Sequence, residues 1–172
     1  LRNLVIGTEA FANNTTGYDS VALGYRAGSA NTTAFNSVFI GNNAGASNTT
    51  GLNSTFIGFN AGFSNVNTNS NIYIGASAGY YAIGSGNVAI GDTAGYGVFG
   101  GVSTYSDNVL IGLNAGSVLT SGGGNVAIGK DAGFSMSTAT LNVFIGKLAG
   151  NAASTSTGNV IIGYAAGLQS TA

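Results

Sequence analysis

Neither histidine nor cysteine occurs anywhere in this chain, proline is absent, and charge is scarce: four basic and five acidic residues among 172. Without cysteine there are no disulfides and no metal-thiolate centres, and the redox compartment leaves no mark on the sequence. A charged fraction of 5%, against about a quarter in typical soluble proteins, excludes the usual disordered chain, which needs high net charge and little apolar content. The formal net charge of −1 is spread over scattered side chains, so there is no basic stripe to neutralise phosphates and nucleic acid is not an expected partner. No run of about 18 or more apolar residues occurs, so no membrane-spanning helix is expected.

What is present in quantity is glycine, 30 residues, and apolar side chains, 44% of the chain. Aligned on the glycine that follows Ile in the stretch NVAIG, the chain resolves into ten copies with glycines at Gly7, Gly24, Gly41, Gly58, Gly75, Gly91, Gly112, Gly129, Gly146 and Gly163. Neighbouring glycines stand 17 apart everywhere except for 16 between Gly75 and Gly91 and 21 between Gly91 and Gly112. A fixed period takes precedence over local readings, and residues 1–172 form a single repeat domain. Because Leu1 and Leu168–Ala172 fall inside repeats with no polar cap, the chain is expected to be a segment of a longer protein.

Counting each glycine as position zero, positions −3 (Val21, Val38, Val126) and −1 (Ile40, Ile90, Ile128) alternate with position −2 as a strand does. β-branching at −3 and −1 suits a strand. Position +3 is Ala in all ten copies and is followed by Gly in nine, which reads as a tight corner. Asn, Ser, Thr and Gly fill the rest as turn formers. So short a unit has no room for a strand, a packed helix and two loops. The expected fold is therefore all-β, a parallel β-solenoid of ten coils of about 17 residues, and at ~4.8 Å per coil a rod about 48 Å long.

Position −2 holds Val5, Ala22, Phe39, Phe56, Tyr73, Ala89, Leu110, Ala127, Phe144 and Ile161, apolar ten times of ten. A strand apolar on both faces is buried on both. With Val and Ile at −3 and −1 assigned to the coil interior, the side chains at position −2 are expected to meet another copy of the chain.

The phrase NVAIGDTAG at 87–95, returning as NVAIGKDAG at 125–133, resembles the head repeats of trimeric autotransporter adhesins of the YadA type and the related repeats of trimeric phage tail fibres and large bacterial surface proteins. The resemblance covers the whole chain. It implies a left-handed β-roll, a side-by-side homotrimer with the side chains of position −2 at the common axis, and an extracellular place on a cell surface or a virion. The function it implies is structural and adhesive, a rigid shaft or head of a fibre for attachment to a host or surface.

Candidate chemistry is sparse. The acid-base side chains are Glu9, Asp19, Asp92, Asp107, Asp131, Lys130 and Lys147; Asp92 and Asp131, two coils apart, are the only pair that a polysaccharide-cleaving tailspike would use. Solvated turn charges are the simpler reading, and no enzyme activity is expected. Asp recurs at no fixed repeat position, so no structural calcium, other metal or cofactor is expected. Thr15-Thr16, Thr32-Thr33 and Thr49-Thr50 stack as an ice-binding face would, but the ladder decays after the third repeat. Asn and Ser at −4 read as a ladder satisfying turn backbone, or as a binding stripe, and Asn48-Thr49-Thr50 fits the glycosylation pattern. The long repeat carries an insertion within 96–107, where Tyr96, Phe99, Tyr105 and Asp107 form a candidate ligand-binding loop, with Tyr80 and Tyr81 one coil earlier. Exposed aromatics beside a carboxylate bind sugars, so a glycan or matrix receptor is the alternative partner to self-association; the plainer alternative is a bulge whose rings cover neighbouring coils.

Overall fold

The computed structural model describes residues 2–101 and 103–167; Leu1, Val102 and Leu168–Ala172, and with them the reading of both chain ends, lie outside it. Ten strands of three residues occupy the predicted places: β1 (Leu4–Ile6), β2 (Val21–Leu23), β3 (Val38–Ile40), β4 (Thr55–Ile57), β5 (Ile72–Ile74), β6 (Val88–Ile90), β7 (Val109–Ile111), β8 (Val126–Ile128), β9 (Val143–Ile145) and β10 (Val160–Ile162). They form one parallel sheet in sequence order, a β-solenoid of about nine turns. Register is kept through the irregular repeats, with Ile72 opposite Val88 and Val88 opposite Val109. Each coil hands hydrogen bonds to the next: Gly24 N–H donates to Ile6 O (2.8 Å), and Val21 N–H to Ser37 O (2.9 Å).

The strands are short because the chain must turn on both sides of them. Four positions of the repeat take positive φ: the zero glycines at 129–138°, position +2 at 52–63°, the +4 glycines at 54–67°, and position −5 from 53° at Asp19 to 74° at Gly86. At zero the requirement for glycine is double. A Cβ on Gly7 would collide with Gly24 O, and the same clash recurs down the column to Gly146, because parallel coils run backbone against backbone there.

The faces of the strands are the reverse of the sequence expectation. Ala22, Phe39, Phe56, Tyr73, Ala89, Leu110, Ala127 and Phe144 are fully buried within the single chain, Ile161 packs on the same core, and only Val5 in the first coil is exposed, at 42%. Nine of the ten side chains thus line the core rather than an inter-chain surface, and it is the Val and Ile of −3 and −1 that face outward, half-buried by their neighbours along the ladder. The reason is the size of the coil. Its interior receives one side chain from the strand and faces it with the Ala at +3 and the Gly at +4. A Cβ on Gly45 would lie 2.5 Å from Cδ1 of Phe39, and one on Gly150 2.7 Å from the ring of Phe144. The corner Ala-Gly is therefore small to admit the core ring rather than to bring two backbones together.

Ring follows ring along the axis: Phe39 on Phe56 at 5.5 Å, and Phe56 stacked on Tyr73 at 5.1 Å and 10°. Burying each such ring stabilises by about 2–3 kcal/mol. Where −2 is only Ala, the space before the +4 glycine is filled from elsewhere. Gly28 faces Phe11 and Phe39, Gly95 faces Tyr105 and Leu110, and Gly133 faces Met136.

A side-chain ladder at −4 closes the turn that re-enters the strand. Asn108 N–H donates to Asn87 Oδ1 (3.1 Å), Asn125 N–H to Asn108 Oδ1 (3.0 Å) and Asn142 N–H to Asn125 Oδ1 (3.1 Å), while each amide nitrogen reaches a carbonyl of the following coil, as Asn125 Nδ2 does Ala139 O (2.8 Å). In the first half serine hydroxyls serve, Ser37 N–H donating to Ser20 Oγ (3.1 Å). These side chains are buried, so the column satisfies backbone inside the fold.

Candidate functional site

Two surfaces stand out once the core is assigned: the outward Val/Ile ladder of the sheet, and a cluster of rings beside the one long coil. The ladder has two columns and runs through all ten strands. Its members are half-buried along most of the rod, Ile72 in β5 being exposed at 38%, and are open at its ends, where Leu4, Ile6, Val160 and Ile162 are exposed. Apolar side chains at every place but Thr55 of a two-column strip on a sheet's outer face are the feature that burial against a partner would explain.

The long coil keeps register up to Gly97, whose N–H donates to Ser117 O (3.1 Å), and regains it at Ser103, which bridges to Ala82. From Val98 to Gly101 the chain leaves the coil in an excursion, turned by Gly101 N–H donating to Val98 O (3.1 Å) and by Gly100 at φ 71°. It breaks the coil in two ways. In regular coils the residue at +7 donates its N–H to the +4 carbonyl, as Leu119 does to Gly116 O (3.2 Å) and Met136 to Gly133 O (3.0 Å). Here Val98 N–H goes instead to Ser103 Oγ (3.0 Å), and the +7 side chain no longer fills the core. Tyr105 repairs both losses. It is fully buried, it fills the space before Gly95, and its hydroxyl donates to Gly95 O.

The candidate ligand-binding loop therefore divides. Tyr105 is core, in a −7 column otherwise made of Gly17, Ala34, Gly51, Thr68, Gly84, Gly122, Ala139 and Ser156, and cannot meet a ligand. Asp107 sits in the left-handed −5 column at φ 59°, over Gly86, where an added Cβ would run into its Oδ1; it is a turn residue. Tyr96 is half-buried and Phe99 is 83% exposed.

Tyr96 and Phe99 belong to a larger cluster, only part of which is evident from the sequence. Position +5 carries Phe63, Tyr80 and Tyr96 in three successive coils, with ring centroids 5.0 Å and 5.4 Å apart. Tyr81, at +6, sets its ring edge against Tyr80 at 4.5 Å, Tyr96 at 5.3 Å and Phe99 at 5.8 Å. Desolvation by this packing raises the phenols of Tyr80 and Tyr81, with the neighbouring Tyr96 adding to it. The coil spacing of a parallel sheet, ~4.8 Å, is what brings successive +5 rings to stacking distance. Counting from the zero glycine would have shown the column, since Phe63, Tyr80 and Tyr96 all stand five places after it.

The remaining sequence candidates are spent on the stack itself. Thr15 Oγ1 donates to Thr32 O (2.9 Å), Thr32 Oγ1 to Thr49 O (3.1 Å) and Thr120 Oγ1 to Ser137 O (2.9 Å). Asn48 is fully buried with its amide on Asn65 Oδ1 (3.4 Å), out of reach of glycosylation. Asp131 accepts from Asn114 Nδ2 (2.9 Å) within the +2 column, and Asp92 is exposed in the +1 column. Arg2 pairs with Asp19 (2.6 Å) and Arg26 with Glu9 (3.3 Å), each pair joining adjacent coils. Among the described residues no three His, Cys, Asp or Glu side chains gather to hold a metal ion, and no helix is long and apolar enough to cross a membrane. No family model, no curated protein and no solved structure matches the chain.

Proposed function

We propose that this β-solenoid is a structural segment of an extracellular fibre, a shaft or head in which three copies lie side by side with their outward Val/Ile ladders packed together. The observation that carries the reading is the apolar strip on the outer face of the ten strands, interrupted at Thr55 in β4. A partner for that strip must present apolar side chains at the coil spacing along the whole rod. A second copy of the same sheet meets that demand, and closed symmetry lets it do so without leaving a new edge. Three as the number of copies, a left-handed wind and a place on a bacterial surface or a phage tail come from the resemblance of NVAIGxxAG to trimeric adhesin and tail-fibre repeats. The mechanism is mechanical: continuous backbone pairing along the axis gives stiffness, and lateral association multiplies it.

Native mass spectrometry tests the reading. A trimer is expected, and the triple substitution Ile40→Lys, Ile90→Lys and Ile128→Lys, which leaves the buried column at position −2 intact, is expected to yield folded monomers. A wild-type chain that stays monomeric at high concentration would overturn self-association through this face.

A further inference from the structure

We propose that the cluster of Phe63, Tyr80, Tyr81, Tyr96 and Phe99 is a binding platform for an uncharged glycan. The first argument is that the excursion interrupts the repeat and its damage is repaired. It removes the +7 side chain from the core and takes the usual donor away from a buried carbonyl, and Tyr105 and Ser103 are spent restoring what was lost. What the interruption adds is Phe99, 83% exposed and set edge-on against Tyr81. A local irregularity held in place by compensating residues is a sound starting point for a functional hypothesis.

The second argument is the chemistry of the surface. Phe63, Tyr80, Tyr81 and Tyr96 pack on one another at 4.5 to 5.4 Å, so these four have less rotamer freedom to lose when something docks. Their flat faces suit the axial C–H face of a pyranose, and three phenols supply hydroxyl groups at the rim that donate and accept. Columns +5 and +6 carry no charged residue in these coils; their other members there are Ser64, Gly97, Ser117 and Val118. A phosphate, a sulfated sugar or a basic peptide would find no counter-charge. Successive rings of the +5 column recur at the coil spacing of ~4.8 Å, about the length of one sugar unit, so the platform favours an extended oligosaccharide running along the rod. This inference does not depend on association through the Val/Ile ladder, since it uses other columns of the coil.

The chain has no tryptophan, so its intrinsic fluorescence is that of tyrosine and reports directly on a platform holding three of the eight. Titration with cello-, chito- and malto-oligosaccharides is expected to change that fluorescence for at least one series. Phe99→Ser and Tyr96→Ser are each expected to weaken binding about tenfold, the worth of one stacked ring. Tyr18→Ser, at the exposed pair of Tyr18 stacked on Phe35, is expected to leave it unchanged, and far-UV circular dichroism checks that each variant keeps its sheet. Absence of a response to all three series at millimolar sugar, binding indifferent to both platform substitutions, or binding only of charged glycans would each overturn the proposal. Because Phe99→Ser touches no strand, a loss of sugar binding with the native mass unchanged separates this site from the fibre interface.

Discussion

The two fully buried tyrosines make opposite use of their hydroxyls, and replacing each with phenylalanine tests how the long coil is held together. Tyr73 occupies the −2 place taken elsewhere by Phe39, Phe56 and Phe144. Among the described residues its hydroxyl has no hydrogen-bond partner, Asn87 close by being committed to Tyr105 O (3.0 Å) and Asn71 Oδ1 (3.3 Å). Deleting it removes a desolvated polar group and leaves the ring packed on Phe56, so Tyr73→Phe is expected to be neutral or to stabilise by about 1 kcal/mol. Tyr105 is different. Its hydroxyl stands in for the backbone N–H that the regular coil supplies to the +4 carbonyl, and Val98 N–H is already bound to Ser103. Tyr105→Phe leaves Gly95 O buried and unpaired, at a cost of about 1–3 kcal/mol.

The expected separation between the two variants is thus about 1–4 kcal/mol, with Tyr105→Phe below wild type and Tyr73→Phe at or above it. At about 2–4 °C per kcal/mol for a chain of this size, Tyr105→Phe lowers the midpoint of thermal unfolding by roughly 2–12 °C. The scans must be run at one protein concentration, because association shifts the midpoint by mass action. Amide exchange gives the local readout: protection is expected to fall around Gly95–Val98 in Tyr105→Phe and to be unchanged there in Tyr73→Phe. Equal effects of the two substitutions, or a Tyr105→Phe chain as stable as wild type, would refute the assignment of Tyr105 as the repair of the interrupted coil.

Three further outcomes follow from the same core. Burial pushes both phenols upward; a tyrosine whose folded pKa is raised contributes stability that is intact below the unfolded value near 10 and declines as pH climbs above it, so alkaline unfolding is expected to set in above about pH 10 and to be delayed in Tyr73→Phe, as a pH titration by circular dichroism would read. Asn31 is fully buried with neither amide atom hydrogen-bonded among the described residues, in the +7 column where later coils place Leu119 and Met136; Asn31→Leu is expected to stabilise by about 1–3 kcal/mol, and a loss of stability in denaturant melts would contradict the claim that the amide is unsatisfied. Leu141 holds φ 58° in the −5 column at 67% exposure, a conformation costing a non-glycine residue about 1–2 kcal/mol; Leu141→Gly should raise the midpoint by a few degrees, and a drop would mean that its contact with Gly124 matters more than the backbone.

Much of this architecture was legible because the repeat imposes the same backbone on every copy. The zero glycines located ten strands to the residue, and the near-constant spacing placed them in register before any contact was known. The direction of the strand faces was not legible from β-branching. Val and Ile at −3 and −1 with an apolar side chain at −2 tell only that both faces are apolar, and a count of two positions against one favours the wrong side. Size variation held the better signal. Position −2 ranges from Ala to Tyr, and each Ala there is matched by a large side chain elsewhere in the same chain, a pattern of compensation that belongs to a closed interior. Of the candidate loop, Phe99 was legible as an exposed aromatic, whereas Tyr96 is half-buried under its ring neighbours. Tyr105 was misplaced because the insertion reads as one unbroken loop from 96 to 107, whereas register returns at Ser103 and puts Tyr105 in a column of small inward-facing residues.

The near-identical phrases at 87–95 and 125–133 then have unlike interiors. Each strand contributes only Ala to the core, Ala89 in one and Ala127 in the other, and each leaves the same space before its +4 glycine. In the first that space is filled by Tyr105 from the far side of an excursion; in the second it is filled by Met136 from the regular +7 place. The strand and corner therefore specify the backbone, and the variable half of the coil specifies the packing. Because the filling side chain reaches toward a particular neighbour, as Phe11 does toward Phe39 at 5.9 Å, coils with equal backbones are not interchangeable. Moving the coil that bears Ala89 without its excursion would open a cavity the size of a ring, at about 3–5 kcal/mol. A rod assembled from one repeated phrase thus carries a fixed order of coils, and that order places the cluster of Phe63, Tyr80, Tyr81, Tyr96 and Phe99 at one height along its length.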